Sequence, residues 1–339
     1  MTYEDDRDDG EHHDGRSAGD EDVLRFMRIA TGSFTNSMLA QYNNLVSTES
    51  NLQSQVSTGL AVQSASDNPT AMQDTLGDIA QKTAQTQYTA NITALQSRAN
   101  VISGSLSSLQ TITSRAGELA TSAVSSDTSS ATLTTYADEV NNLIGEVVTA
   151  ANAKDPSSGQ YLFGGTASGS APYTTTTDAN GNVTGVTYNG NSSVNQTQIG
   201  DGQTLSVDIP GENTGTGGAR GLITDSQSGA DLLNHLIALR NDLTSGNTAA
   251  ITTDSANLQN DENNIAYQVA NNGVQQSQLT LAASYASNRT SSLNTMISNS
   301  SSANLVNTMV QLNAAQTAYQ AALESGTKIM QLSILNYLS

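Results

Sequence analysis

Apolar residues recur at helical spacing over most of the chain. In the N-terminal part they follow intervals of three, four and seven residues from position 38 to position 56 and then stop at a glycine. The same spacing resumes after Pro69, continues to about residue 120, and returns between residues 133 and 147. Intervals of three and four place side chains on one face of an α-helix. The pattern therefore predicts long amphipathic helices separated by short polar breaks.

One stretch, QVSTGLAVQSASDNPTAMQ at residues 55–73, interrupts what would otherwise be a single long helix. Gly59 can adopt the left-handed conformation that ends a helix. Asn68 can cap a new helix, with Pro69 at its first position. A similar break, SNSSSAN, begins at residue 298. We interpret the two breaks as separating an outer helix at each end of the chain from a central helical bundle.

The middle of the chain has a different pattern. From Tyr161 to about residue 228 it is rich in Gly, Thr, Val and Asn, with apolar–polar alternation and two Asn-Gly turn signals. This predicts a small β domain inserted between helical segments. Helical spacing then returns, and we predict three further helices, over residues 231–243, 248–271 and from about 274 to the second break.

Composition and charge narrow the possible functions. Aromatic residues make up 4% of the chain, which favours narrow helical seams over a thick globular core. The net charge of -19 leaves no basic surface for phosphates and argues against binding to nucleic acid or to membrane surfaces. Without a run of 18 apolar residues no membrane insertion is expected, and without an apolar N-terminal region no cleavable signal peptide. The absence of cysteine excludes disulfides and thiolate metal sites.

Candidate catalytic chemistry is sparse. His235 is the one histidine outside the acidic N-terminal residues, and it follows Asp231 by four positions, so the two could meet on a helix face. We interpret His235 as a packing position, because no nucleophile elbow or phosphate-binding loop accompanies it. EHHD at residues 11–14 is interpreted as part of a solvated acidic tail. The sequence therefore predicts no enzyme activity, no catalytic residue, no cofactor and no metal.

Three segments resemble the bacterial flagellin superfamily of axial proteins, and most closely the hook-associated protein 3 family. MRIATGSFTNSML at residues 27–39, followed by the break at 55–73, is similar to the N-terminal opening and signature of the family. YLFGGT at 161–166 is similar to the stretch that leads from the helical domain into the outer β domain. Residues 304–339 are similar to the C-terminal helix and its tail. The resemblance covers residues 27–339, with Asp-Asn-Pro where the family has Asp-Asp-Pro.

The resemblance and the pattern together predict a mainly α fold. We expect an elongated helical coiled-coil bundle formed by the N- and C-terminal segments, with an inserted small β-rich domain. The predicted divisions are a disordered acidic extension at 1–26 (with Met27 as the alternative start), an N-terminal axial helix at 27–58, a connector at 59–70, a helical bundle at 71–160 and 229–298, a β domain at 161–228 and a C-terminal axial helix at 299–339.

The resemblance implies a structural subunit of the bacterial flagellum that forms the junction between hook and filament and is required for filament attachment and motility. Its partners would be other copies of the chain in a ring, the neighbouring hook-associated protein and flagellin. A flagellar export chaperone and the type III export apparatus would deliver it outside the cell without a cleavable signal peptide. Two alternatives stay open: flagellin, the bulk filament subunit, and a secreted hydrolase or adhesin with a coiled-coil stalk.

The outer helices are the candidate assembly elements, because each is separated from the bundle by a break and needs an apolar partner. The resemblance also implies that the first break connects two helical layers. The predicted connector residues are Gly59, Asp67, Asn68 and Pro69. The predicted assembly residues are Met38, Tyr42, Leu45, Leu52 and Val56 in the N-terminal helix and Leu305, Met309, Leu312, Tyr319, Leu323 and Leu335 in the C-terminal helix.

Overall fold

A computed structural model describes residues 18–125 and 127–338. The described residues form two units, one made of residues up to 77 and from 296 onwards, the other of residues 78–295. The fold is mainly α with a small β-rich region, as predicted. The helices of the described residues are α1 (Ala18–Thr58), α2 (Pro69–Ala123), α3 (Ser130–Ala151), α4 (Leu232–Ser245), α5 (Thr248–Ser301) and α6 (Leu305–Leu338).

The first unit is built on the packing of α1 against α6. It also contains the first turns of α2 and the last turns of α5. Leu52 of α1 and Ala315 of α6 are buried in this unit. Few residues are buried here because a seam between two helices uses only about two apolar positions per heptad.

The second unit has one hydrophobic core to which α2, α3, α4 and α5 each contribute a face. The buried positions of α2 and α3 follow the predicted helical spacing, since both helices bury a residue at every third or fourth position. Local chemistry fixes the helix ends. Ser129 caps α3 by accepting a hydrogen bond from the Thr132 backbone N–H at 3.2 Å. Gly246 ends α4 with φ of 68°, in the left-handed region.

Seven short strands form three small sheets in the second unit. Tyr173 lies opposite Tyr188 in the first sheet, and the centroids of their rings are 5.1 Å apart. The antiparallel pairs are β1 (Tyr173–Thr177) with β2 (Val183–Tyr188) and β3 (Thr197–Gly200) with β4 (Gln203–Leu205); in the third sheet β6 (Thr224–Asp225) lies between β5 (Glu212–Asn213), which is parallel to it, and β7 (Ala230–Asp231), which is antiparallel.

The predicted β-rich insertion at 161–228 packs against the helices of the second unit. Val207, Ile209 and Leu222 belong to the same hydrophobic core as the helices. The guanidinium of Arg240 on α4 donates to the Val183 carbonyl oxygen of β2 at 2.7 Å. Strands of two to six residues cannot bury both faces against one another. They therefore pack against the helices within one unit.

Two predicted helix boundaries differ from those in the structure. The helices predicted at 248–271 and from about 274 are one helix, α5, because Asn272 turns inward and its side-chain amide donates to the Ala99 carbonyl oxygen of α2 at 3.2 Å. The N-terminal helix begins at Ala18, so residues 18–26 are helical and not part of a disordered extension. Acidic residues favour the first turns of a helix, since they interact with the positive end of its dipole. The remainder of the predicted extension, and EHHD with it, lies outside the described residues.

The YLFGGT stretch is a packing element of the second unit. Leu162 and Phe163 are fully buried, and Gly165 has φ of 65°. A Cβ at Gly165 would collide with the backbone carbonyl of Asn191, so this position requires glycine. The Tyr188 hydroxyl lies 3.0 Å from the Phe163 carbonyl oxygen and 3.0 Å from that of Asn191. The YLFGGT stretch therefore packs beside Tyr188 of β2, whose hydroxyl contacts its backbone.

Candidate assembly surface

The predicted N-terminal assembly residues share one face of α1. Leu52 is buried and Met38, Tyr42, Leu45 and Val56 are half-buried. They follow intervals of four, three, seven and four residues, and half-buried Glu49 occupies the intervening turn, so they form the stripe that α1 turns toward α6. Whether this stripe also contacts another subunit stays a prediction.

Three contacts show how α1 and α6 meet. The hydroxyls of Tyr42 and Tyr319 are hydrogen-bonded, and their ring centroids are 5.0 Å apart. The Gln316 side-chain amide donates to the Glu49 carboxylate at 3.2 Å. Near the far end, Gly326 has no side chain, which leaves room for the terminal methyl of Met38. Because residue numbers rise along one helix as they fall along the other, the pair is antiparallel.

Helix α6 packs one face against α1. The face toward α1 is spaced at alternating intervals of four and three residues and is rich in small side chains. Sequence reasoning missed its small members because alanine and glycine carry little hydrophobic signal, although their heptad spacing was visible. The residues of this face are Thr308, Leu312, Ala315, Tyr319, Ala322 and Gly326.

The first two turns of α6 carry exposed apolar side chains that extend round to the side away from α1. We call Leu305, Val306, Met309 and Val310 the α6 patch; their exposed fractions are 44%, 74%, 51% and 63%. Leu323 is also exposed, at 43%. The predicted C-terminal assembly residues therefore differ in exposure. Leu312 and Tyr319 are half-buried beside α1, whereas Leu305, Met309 and Leu323 are each more than 40% exposed.

Charge is nearly absent from residues 29–58 of α1 and from α6. Residues 29–58 contain a single charged residue, Glu49, and residues 305–338 contain Glu324 and Lys328. The whole chain, in contrast, carries a net charge of -19. Protein interfaces are depleted of charge at their centres. The α6 patch thus has the composition of an interface on a chain that is otherwise strongly acidic. Leu335 lies outside the residues whose side chains the structure describes.

The connector between α1 and α2 is held to the second break by backbone hydrogen bonds. Gly59 has φ of 73° and ends α1. The Ala61 N–H donates to the Ser301 carbonyl oxygen at 2.7 Å, and the Ala303 N–H donates to the Gly59 carbonyl oxygen at 2.9 Å. Asn304 then caps α6 by accepting from the Asn307 N–H at 3.2 Å. The two sequence breaks therefore form one small antiparallel pairing.

Asp67 and Asn68 organise the second half of the connector. The Asp67 carboxylate accepts the backbone N–H groups of Gln63 at 3.0 Å and Ser64 at 2.9 Å. These two hydrogen bonds lower the pKa of Asp67. The Asn68 side-chain oxygen accepts the Ala71 N–H at 3.1 Å and so caps α2, which begins at Pro69.

The candidate catalytic residue His235 has a structural contact. Its Nδ1 lies 2.7 Å from an oxygen of Asp261 on α5, and not against Asp231 as the sequence spacing suggested. Among the residues described, no group of three or more His, Asp or Glu side chains could hold a metal ion. No helix in the described part of the chain is long and apolar enough to cross a membrane.

One comparison with known families matches the N-terminal part of the chain. Residues 29–168 match the bacterial flagellin N-terminal helical region, from α1 through the connector to the YLFGGT stretch. A search of curated protein sequences gives no match.

The chain shares its fold with solved flagellar proteins. A structure described as a flagellar hook-associated protein from Vibrio parahaemolyticus is 18% identical, with a TM-score of 0.58 over 70% of this chain and 100% of that one. Flagellar hook-associated protein 3 from Legionella pneumophila is 16% identical, with a TM-score of 0.54 over 66% and 97%. FlgL from Xanthomonas campestris is 18% identical, with a TM-score of 0.53 over 64% and 98%. The predicted resemblance to flagellar hook-associated proteins is confirmed at the level of the fold.

Proposed function

We propose that this chain is a structural subunit of the bacterial flagellum and forms the junction between hook and filament. The observation that carries the proposal is the α6 patch, an uncharged apolar surface on a helix that also packs against α1. The contact with α1 covers only part of the apolar surface of α6, and an exposed apolar surface of this kind indicates an interaction site. Other copies of the chain, arranged in a ring, cover the exposed part.

Both the fold and the sequence favour a junction subunit over flagellin, the bulk filament subunit. The structural neighbours with supporting TM-scores are described as hook-associated proteins or FlgL. The YLFGGT stretch and the C-terminal LNYLS tail resemble the junction family more than flagellin. In this proposal the two ends of the ring contact a neighbouring hook-associated protein and flagellin. The chain reaches the outside of the cell through the type III export apparatus, with an export chaperone and no cleavable signal peptide.

Flagellin itself is the second candidate, since the family model that matches residues 29–168 is that of flagellin. Immunogold electron microscopy separates the candidates, using an antibody against exposed residues of the β1–β2 hairpin on intact flagella. A single band between hook and filament supports the junction. Label along the whole filament supports flagellin, and no label on flagella refutes a flagellar role.

A further inference from the structure

Helices α4 and α5 of the second unit face each other through an acidic cluster. The α4 side carries Asp231, His235 and Asp242, and the α5 side carries Asp254 and Asp261. The Asp261 carboxylate is fixed from both sides, because it lies 2.7 Å from His235 Nδ1 and accepts the Asp231 backbone N–H at 2.8 Å. We call these five residues the α4–α5 cluster.

Positive charge in the cluster is limited to one group. Within the described residues, no lysine or arginine forms an ion pair with any of its four carboxylates. In the part of the chain that the structure describes, two further ionisable groups interact with Asp231, and neither is a cation: the carboxylate of Glu212 on β5 and the hydroxyl of Tyr173 on β1. His235 is therefore the cluster's single cation, and it is charged only when protonated.

The two carboxylates on α5 are deeply buried. Asp261 is 1% exposed and Asp254 is 5% exposed, and one carboxylate oxygen of Asp254 has no hydrogen-bond partner. An ionised carboxylate in such a position is costly, because it loses hydration without gaining a partner. A protonated carboxyl carries no charge and gains an O–H donor, which the neighbouring carboxylate of Asp242 can accept.

We propose that the contact between α4 and α5 depends on bound protons: it tightens as Asp254 and His235 take up protons and loosens as they release them. In this arrangement the protons bound to Asp254 and His235 offset the negative charge of the cluster, because no lysine or arginine is paired with it among the described residues. The device lies within one unit and requires only the side chains of the α4–α5 cluster.

The directions of the pKa shifts agree with this arrangement. Burial and the Asp242 carboxylate raise the pKa of Asp254 to about 6. Burial alone would lower the pKa of His235, but the hydrogen bond and charge of Asp261 outweigh it and raise the pKa. Burial also raises the pKa of Asp261, although His235 partly offsets this effect. The folded cluster therefore binds more protons than the unfolded chain around neutral pH.

The sign of the pH effect follows from linkage. A group whose pKa is higher in the folded state stabilises the fold below its unfolded pKa, and this stabilisation is lost as pH rises through its folded pKa. The unit should hence be tighter at pH 5.5 than at pH 8. Asp155 and Asp178 do not oppose this trend, because hydrogen bonds from neighbouring residues hold their pKa values below 3.8 and both stay ionised over this range.

The loosening would extend to the β1–β2 hairpin. Arg240 of α4 donates to the Val183 carbonyl oxygen of β2 and, at 3.0 Å, to the Asn141 side chain of α3. When α4 moves away from α5, these hydrogen bonds are strained or lost. The proposal thus links the proton content of a buried cluster to the mobility of a surface hairpin.

Hydrogen exchange on the full chain tests the proposal. Peptides from residues 232–260 are compared at pH 5.5 and pH 8 after correction for intrinsic exchange rates. We expect protection to fall by about fourfold or more at pH 8, since a pKa of about 6 leaves Asp254 mostly protonated at pH 5.5 and ionised at pH 8, and the raised pKa of His235 acts in the same direction. Asp254→Asn keeps the shape of the side chain but cannot ionise, so its protection at pH 8 should approach the value at pH 5.5. Asp138→Asn, at an exposed position of α3, is the matched control.

Two results of this experiment would overturn the proposal. One is a wild-type chain that is better protected at pH 8 than at pH 5.5. The other is an Asp254→Asn variant with the same pH dependence as the control. A direct titration of His235 by NMR does not rely on any variant's stability: we expect a midpoint above 6.5, assigned by the signal that disappears in His235→Gln. A midpoint at or below 6.5 would also contradict the proposal.

Discussion

Replacing Val306 with aspartate should block assembly while leaving the monomer intact. The Val306 side chain is 74% exposed in the first unit, so little buried area is lost in the monomer. Aspartate in the first turn of α6 also interacts favourably with the helix dipole. Exposed substitutions of this kind change the free energy of unfolding by less than about 0.5 kcal/mol.

The same substitution should be severe in the assembled ring. Complete burial of a valine side chain contributes up to about 2 kcal/mol, and roughly three quarters of that remains available at Val306. Aspartate loses this contribution and adds the desolvation of a charge, which costs several kcal/mol. A total loss of about 4 kcal/mol per subunit contact corresponds to about a thousandfold weaker association.

The assay counts hooks that carry filaments by electron microscopy and measures swimming, in cells whose own copy is replaced by the variant. Thermal unfolding of the purified monomer is recorded in parallel. Gln311→Glu adds the same charge at an exposed polar position one residue beyond the α6 patch, and it should retain filaments. Normal filaments with Val306→Asp would refute the assignment of the α6 patch as an assembly surface. Loss of monomer stability would refute the claim that this position is uncovered in the free chain.

Three further predictions test other parts of the structure. Backbone amides at residues 28–58 and 304–338 should exchange rapidly in dilute monomer, because a helix with an uncovered face is marginal alone; strong protection would contradict intermolecular burial. Arg98→Ala removes a buried ion pair with Asp208 at 2.7 Å and should lower the free energy of unfolding by about 3 kcal/mol in urea titration, with Arg115→Ala at an exposed pair as the control. Asp67→Ala should loosen the connector, and in the wild type this contribution should be lost as pH falls below about 3.8, since the pKa of Asp67 is lowered; proteolysis at the connector measures both effects.

Much of the helical organisation was predictable because it depends on local rules. Three- and four-residue spacing gave α2, α3 and α4, and the cap at Asn68 with Pro69 gave the start of α2. The continuity of α5 was not predictable in this way. Asn-Asn-Gly is a turn signal in isolation, but the hydrogen bond from Asn272 to α2 exists only in the packed unit. Tertiary contacts here override local propensity.

Which apolar residues of α6 are covered was also beyond sequence reasoning. Leu305 and Leu312 are seven residues apart and lie on nearly the same side of α6, yet the first is 44% exposed and the second is half-buried beside α1. An apolar residue in a sequence indicates that burying its side chain is favourable, but it does not indicate which surface covers that side chain. The inner face was instead marked by Ala315, Ala322 and Gly326, whose small size allows α1 to approach. Small residues at heptad spacing were the better signal for the intramolecular seam.

Charge distribution gives the two units different physical roles. Residues 78–295 contain 17 acidic and seven basic residues, whereas residues 29–58 and 305–338 contain three charged residues in total. Like charges on neighbouring copies repel, so a strongly acidic surface keeps chains apart and soluble. The segments 29–58 and 305–338 carry little charge and therefore lower that barrier at one place. Close contact between copies is therefore least opposed at α1 and α6, which is the reason that a charge introduced at Val306 should act on assembly before it acts on the fold.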